Sequence, residues 1–405
     1  MLAALLLLAA PANAQQDQPQ HVATEAATAF LEKWDSVRFE PGKQAPFMGL
    51  ISHLEPHFSM EDKIYSLQGL VKNPHLSGVT LKMQWQQLHP QPDVVDWENL
   101  ETLISIAASA GKLVNIGIMP GGGSPEWIYE AGAQKIGPTR VGARTVTAPI
   151  PWDSRFMDLF SADIRELGAR YADDPRVFSV EVLGHNYNHA GEEMHAPAVS
   201  EMEPFGWSRE KVLDNWKYWI NEYNEAFPKK KLVLIVSQMY RGPEDERDLP
   251  GAVTKYFLEQ CQGRAILMTH QLQGRRDVLG FGPAMCAEYR EQAPNGHELG
   301  ASLKENPERL GSLPMTIYMF LKAGNPLFLQ VWRRDCDDPQ YARSMLDAWK
   351  KYGAGRTAEE CKALLEKEGL YVPPDADVPA FGFMQADLPR TPPPDFPSAT
   401  TQKAE

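Results

Sequence analysis

Between residues 46 and 332 the chain alternates short apolar runs with longer stretches of helical periodicity. Runs at 46–54, 79–83, 113–119, 177–183, 232–236, 265–269 and 327–332 are short and bounded by turn residues, the pattern of buried strands. A weaker run, 278–286, mixes glycine with apolar residues and is predicted as the seventh strand, ending near Glu288. Helical spacing falls between the runs. Phe156, Leu159, Phe160, Ile164 and Leu167 share one face of a helix over 154–171, which Asp173-Asp174-Pro175 stops. A helix over 210–227 carries Trp216, Trp219 and Tyr223, and others are expected at 61–71, 253–261, 307–324, 341–352 and 358–368. An amphipathic helix at 23–37 is expected to cover the underside of whatever these elements build.

Residues 78–132 show the repeating unit in full. An apolar run carries Lys82 and Trp85 past its end, and a turn with Pro90 and Pro92 follows. Asp96 is placed to cap a helix with Leu100, Leu103, Ile104 and Ala107 at helical spacing, and Gly111 stops it. The next run, 113–119, empties into Pro120, three glycines and Trp127. Strand, helix, strand is the unit of parallel α/β folds. Eight such alternations predict an α/β fold of the (β/α)8 TIM-barrel type in a single domain. An open dinucleotide-binding sheet is the structural rival, but no G-x-G-x-x-G follows the first strand. The stretch 129–151 is a long insertion, and from Tyr371 the chain turns proline-rich. The expected division is 1–14 leader, 15–370 barrel and 371–405 extended tail.

Trp85, Pro90, Asp96-Trp97, Gly111-Lys112 and Ser124-Pro125-Glu126-Trp127 also carry a resemblance. The stretch resembles the second and third strand–helix units of clan A (β/α)8-barrel glycoside hydrolases, the β-galactosidase-like members among them. The resemblance implies a retaining hydrolase acting on β-linked oligo- or polysaccharide, with an acid after the fourth strand and a nucleophile after the seventh. It also implies a tryptophan platform after the eighth strand, matched here by Trp332. In that family the acid often follows an Asn directly, whereas here Asn186 is followed by Tyr187. Glu193, with Glu192 beside it, is the candidate acid from the longer loop. Glu288, with Glu291 in reserve, is the candidate nucleophile.

A chain of 405 residues at 43% hydrophobic content is long enough for a barrel core. A net charge of -13 argues against nucleic acid and anionic membranes as partners and leaves a carbohydrate as the expected one. MLAALLLLAAPANA at the start is too short to span a bilayer and ends in a small-x-small cleavage pattern, so export to the periplasm or beyond is expected. In such a compartment Cys261, Cys286, Cys336 and Cys361 allow three disulfide connectivities, although Cys286, in an apolar run, also reads as a buried thiol.

Barrel chemistry collects where strands end. Residues there are rich in aromatic, amide and imidazole groups: His53 with Glu55, Lys82, Trp85, Trp127, His185, Asn186, Gln238, Tyr240, His270 with Gln271, and Trp332 with Arg333. Sugars are bound by such sets, C–H faces stacking on indoles while hydroxyls bond amides and carboxylates. Two rival readings stand beside hydrolysis. One is a barrel that binds glycans without cleaving them. The other is a metal-dependent hydrolase using His185, His189, Glu192, Glu193 and His195, although neither H-E-x-x-H nor H-x-H occurs. No cofactor is expected: Gly121 to Gly123 reads as a tight turn without a following Lys-Ser/Thr, and G-x-S-x-G is missing.

Overall fold

The computed structural model describes residues 25–141, 144–185, 202–237 and 248–377. Eight parallel strands close into a ring: β1 (Gly49–His53), β2 (Leu76–Gln84), β3 (Leu113–Met119), β6 (Val177–Glu181), β7 (Lys231–Ile235), β8 (Ala265–Leu272), β9 (Asn295–Leu299) and β10 (Pro326–Val331). Strand β10 pairs with β1, Leu329 opposite Leu50, and shuts the barrel. The remaining two strands, β4 (Lys135–Val141) and β5 (Arg144–Pro149), form an antiparallel hairpin inside the expected insertion.

Each barrel strand shows one face to the helices and one to the interior. On β2, Val79, Leu81 and Met83 join the apolar layer beneath the helices, while Thr80 and Lys82 meet polar groups from other strands. Helix starts are capped by acidic side chains, at Asp96 as the sequence placed it and also at Asp153. Asp96 accepts from the backbone N–H of Asn99 at 3.1 Å, and Asp153 from that of Phe156 at 2.9 Å to open Ser154–Tyr171. The amphipathic helix Glu25–Ser36 closes the lower end, with Leu31 and Trp34 packing among Ile51, Phe178, Val233, Ile266 and Phe328.

One predicted strand is wrong. Phe281–Glu288 is a helix, and the seventh barrel strand is Asn295–Leu299. The run 278–286 is apolar because this helix packs Met285 and Cys286 into the core. The true strand reads Asn-Gly-His-Glu-Leu, with a single aliphatic residue to mark it. Its polar side chains find partners of their own, Glu298 in Gln330 of β10, Asn295 in Ala323 O and His297 in Asn295, so hydrophobic patterning cannot find it. All four cysteines are buried free thiols.

Candidate active site

Strand β9 delivers Glu298 to the C-terminal end of the barrel, where it is 6% exposed. Three basic groups converge on its Oε2: Lys82 Nζ from β2, His53 Nδ1 from β1 and His270 Nδ1 from β8, each 3.7 Å away. Gln330, the neighbour of Glu298 in the β10 register, donates its Nε2–H to the same oxygen. One carboxylate oxygen is thus held by groups from four strands.

The charges around it sort themselves by partner. Burial alone would lower the His53 pKa, but the charge of Glu298 and a bond to Glu55 outweigh it and raise His53 above its usual value. Glu55, 3.5 Å from His53 Nε2, would be raised by burial; its bond to His53 and the charges of His53, His57 and Lys82 bring it to about 2 instead. His270 goes the other way. Burial dominates there, Lys82 and His53 add repulsion, and its pKa falls well below the usual value, so it presents a neutral imidazole. The site therefore gathers a carboxylate, a lysine and two imidazoles with pKa values pushed in opposite directions into one buried cluster.

A second carboxylate, Glu181, closes β6 at 1% exposure and accepts from Asn115 Nδ2 at 2.8 Å. Gly117 faces it on β3, and a methyl group there would collide with Glu181 Oε2. Three residues past Glu181, Gly184 (φ +144°) leaves β6 in a conformation that favours glycine, where any side chain would strike the Trp219 indole. Trp332 leaves β10 half-buried, its Nε1–H on Leu299 O at 2.7 Å and its ring edge-on to His53 at 5.0 Å. That contact sets the indole beside the Glu298 cluster.

No family model matches the sequence, and no curated protein does. Solved structures do match in shape. The GH5_18 protein of Streptomyces cattleya, solved in complex with Manβ1-4GlcNAc, superposes with a TM-score of 0.51 at 13% identity over 78% of this chain and 82% of that one. The β-galactosidase of the psychrophilic Marinomonas ef1 gives 0.47 at 12% identity, over 80% of this chain and 61% of that one. This chain spans about three fifths of the β-galactosidase's length. An endo-β-1,4-xylanase of glycoside hydrolase family 10 from Gloeophyllum trabeum gives 0.46 at 11% identity, over 75% and 86%. The fold is a closed (β/α)8 barrel, which the GH5_18 structure shares.

Within this barrel the sequence-predicted residues separate into three groups. His53, Lys82 and His270 meet around Glu298, and Trp332 stands beside them. Trp85, Trp127 and His185 serve packing instead. Trp85 is fully buried among Phe156, Phe160 and Trp127, its Nε1–H on Asp163 at 2.6 Å. Trp127 donates to His89 O at 3.0 Å and lies tilted against the His89 ring. His185 is buried between Trp152 and Trp216 with Nδ1 on Asn215 at 2.5 Å, and burial lowers it to about 4. Asn186, Gln238, Tyr240, Glu192 and Glu193, with His189 and His195 of the metal reading, lie outside the described residues.

Glu288 is a correction. It is exposed at the end of the helix Phe281–Glu288, which runs back to the lower end of the barrel before β9 begins. Glu291, the reserve, sits there too, its carbonyl bonded by the N–H of Gly42 ahead of β1 at 2.7 Å. Neither reaches the cluster at the ends of the strands. The residues that sequence reasoning missed are Glu298, Gln330, Glu181 and Asn115. Counting strands by helix spacing would have flagged 295–299, since a helix ending at Glu288 requires a strand after it and before 307.

Proposed function

We propose that the chain is a retaining glycoside hydrolase with Glu298 as its nucleophile, acting on a β-linked oligo- or polysaccharide. The observation that carries this reading is the carboxylate at the end of the seventh barrel strand, held through one oxygen by Gln330 and the basic cluster. Fixing Oε2 leaves Oε1 as the attacking atom, and a preorganised nucleophile needs no rearrangement as the covalent bond forms. The Trp332 indole would stack on the sugar ring, and His53, Lys82 and His270 would bond its hydroxyls.

A retaining mechanism needs a second carboxyl about 5–5.5 Å from the first. We assign that role to Glu193, with Glu192 as its neighbour, from their place after the fourth strand. The protein is proposed to be exported by cleavage after Ala14, which N-terminal sequencing of the mature form would check. Azide rescue tests the pair on an aryl β-glycoside with a good leaving group. Glu298→Gly should yield the α-glycosyl azide, and Glu193→Ala the β-glycosyl azide. The two anomers exchanged between the variants, or full activity of either variant without azide, would overturn the assignment.

One observation favours a second reading. Past the end of β6 the chain runs through His185, which is buried, neutral and bonded to Asn215. A barrel that binds glycans without hydrolysing them fits that exit. Tight binding of an oligosaccharide with no reducing ends released over days would decide for it.

A further inference from the structure

Five interior side chains from five strands form one chain of hydrogen bonds whose direction is fixed throughout. It begins at Glu298 on β9. A carboxylate only accepts, so the Gln330 amide must turn its Nε2–H toward Glu298 and its Oε1 away. That oxygen faces Thr80 Oγ1 on β2 at 2.6 Å, and having no proton it requires the hydroxyl to donate. With its proton committed, Thr80 Oγ1 accepts from Asn115 Nδ2 on β3 at 3.4 Å. Asn115 is fixed from both sides: its Nδ2 also donates to Glu181 Oε1 on β6 at 2.8 Å, and its Oδ1 accepts from Ser179 Oγ at 2.9 Å. Thr80, Gln330 and Ser179 are at most 1% exposed and Asn115 is 5% exposed, which leaves water little access to substitute for a lost partner.

We infer that Thr80 is a positioning residue for Glu298, acting through Gln330, and that Glu181 anchors the far end of the same chain rather than donating a proton to substrate. The inference rests on the reading of Glu298 as a nucleophile. Thr80 touches no reacting group. Its hydroxyl instead satisfies Gln330 Oε1 and so holds the amide in the place and orientation that Glu298 requires. Without it, Gln330 Oε1 is buried without its donor, and the amide is no longer held fast against the carboxylate. Glu181 suits the anchoring role because Gly117 opens just enough room for its carboxylate under the strand ends, and Asn115 takes one of its oxygens.

The test compares Thr80→Val, which keeps shape and loses the hydroxyl, with Thr80→Ser, which keeps the hydroxyl. On an aryl β-glycoside, Thr80→Val should lower kcat by about 10²-fold with KM nearly unchanged, and Thr80→Ser should recover most of it. A reading free of turnover is the side-chain amide resonance of Gln330 in protein labelled with ¹⁵N-glutamine, assigned by its disappearance in Gln330→Met. It should move in Thr80→Val and return in Thr80→Ser. If Thr80→Val does not fold, Gln330→Met should show the same loss in kcat at unchanged KM. Wild-type kcat in Thr80→Val, equal losses in the Val and Ser variants, or an unmoved amide resonance would overturn the inference. Should the wild-type protein cleave no glycoside, the hydrolase reading falls on its own, and the amide resonance still decides whether Thr80 sets Gln330.

Discussion

The two ends of the barrel bury lysines for opposite purposes. At the lower end Lys231 gives its protons to Trp34 O at 2.6 Å and Asp35 O at 2.7 Å, and Lys230 pairs with Asp35 Oδ1 at 2.7 Å. These ammonium groups fasten the helix Glu25–Ser36 across the opening, and the surrounding side chains are Ile51, Phe178, Val233, Ile266 and Phe328. Burial pulls Lys231 down to about 7 against the charge of Asp35, which favours the ammonium. At the upper end Lys82 meets a carboxylate in company with two imidazoles. A buried charge spent on backbone carbonyls closes a structure. One gathered with titratable side chains from several strands marks chemistry.

The two ends should respond differently to mutation. Glu298→Gln carries the largest expected effect, a loss of turnover of about 10⁴-fold with the thermal midpoint nearly unchanged, since the amide fills the same space. Glu288→Gln at the lower end should leave kcat and KM at wild-type values. Equal losses in both would break the comparison.

The two tryptophans sharpen it. Both follow strands, yet Trp85 is core and Trp332 borders the site. Trp85→Ala should cost about 3–5 kcal/mol in denaturant unfolding, with KM preserved in the folded protein. Trp332→Ala should cost little stability and raise KM about tenfold, ~1.4 kcal/mol. Reversed outcomes would exchange their roles.

The smallest effect concerns pH. Asp163 accepts from both Trp85 Nε1 and His89 Nδ1, the latter at 2.7 Å. Burial would lower His89, but the bond to Asp163 and its charge prevail and raise the pKa above the usual 6.5. A raised folded value means that the pair's contribution is complete below the unfolded pKa and is lost as pH climbs through the folded one. The gap in thermal midpoint between wild type and His89→Gln should therefore narrow as pH rises from 6 to 9. A gap that widens over that range would show that the imidazole is neutral in the folded protein.

Much of the barrel was legible along the chain because most strands are apolar on the helix side and their helices carry readable stops and starts, as at Asp96 and at Asp173-Asp174-Pro175. His53, Lys82, His270 and Trp332 could be named because each stands where an apolar run stops. Trp85 stands in the same kind of place and was misread, since nothing local distinguishes an indole turned to the core from one turned to a ligand. Seven of the eight strand assignments carried over to the structure, and the eighth failed where the interior is most polar. That failure also drew the nucleophile assignment to Glu288, which lies on a helix, and away from the true seventh strand.

What the sequence determined by itself was the alternation of strand and helix, the capped boundaries and the approximate ring of residues at strand ends. These follow from periodicity and from hydrogen bonds within a few residues. Only the closed barrel decided that Glu298, Gln330, Lys82, His53 and His270 share one cluster and that Thr80 and Asn115 link it to Glu181. The reason is physical. A polar side chain on an interior strand face is stable only when partners from other strands meet it, and those partners lie up to 250 residues away along the chain.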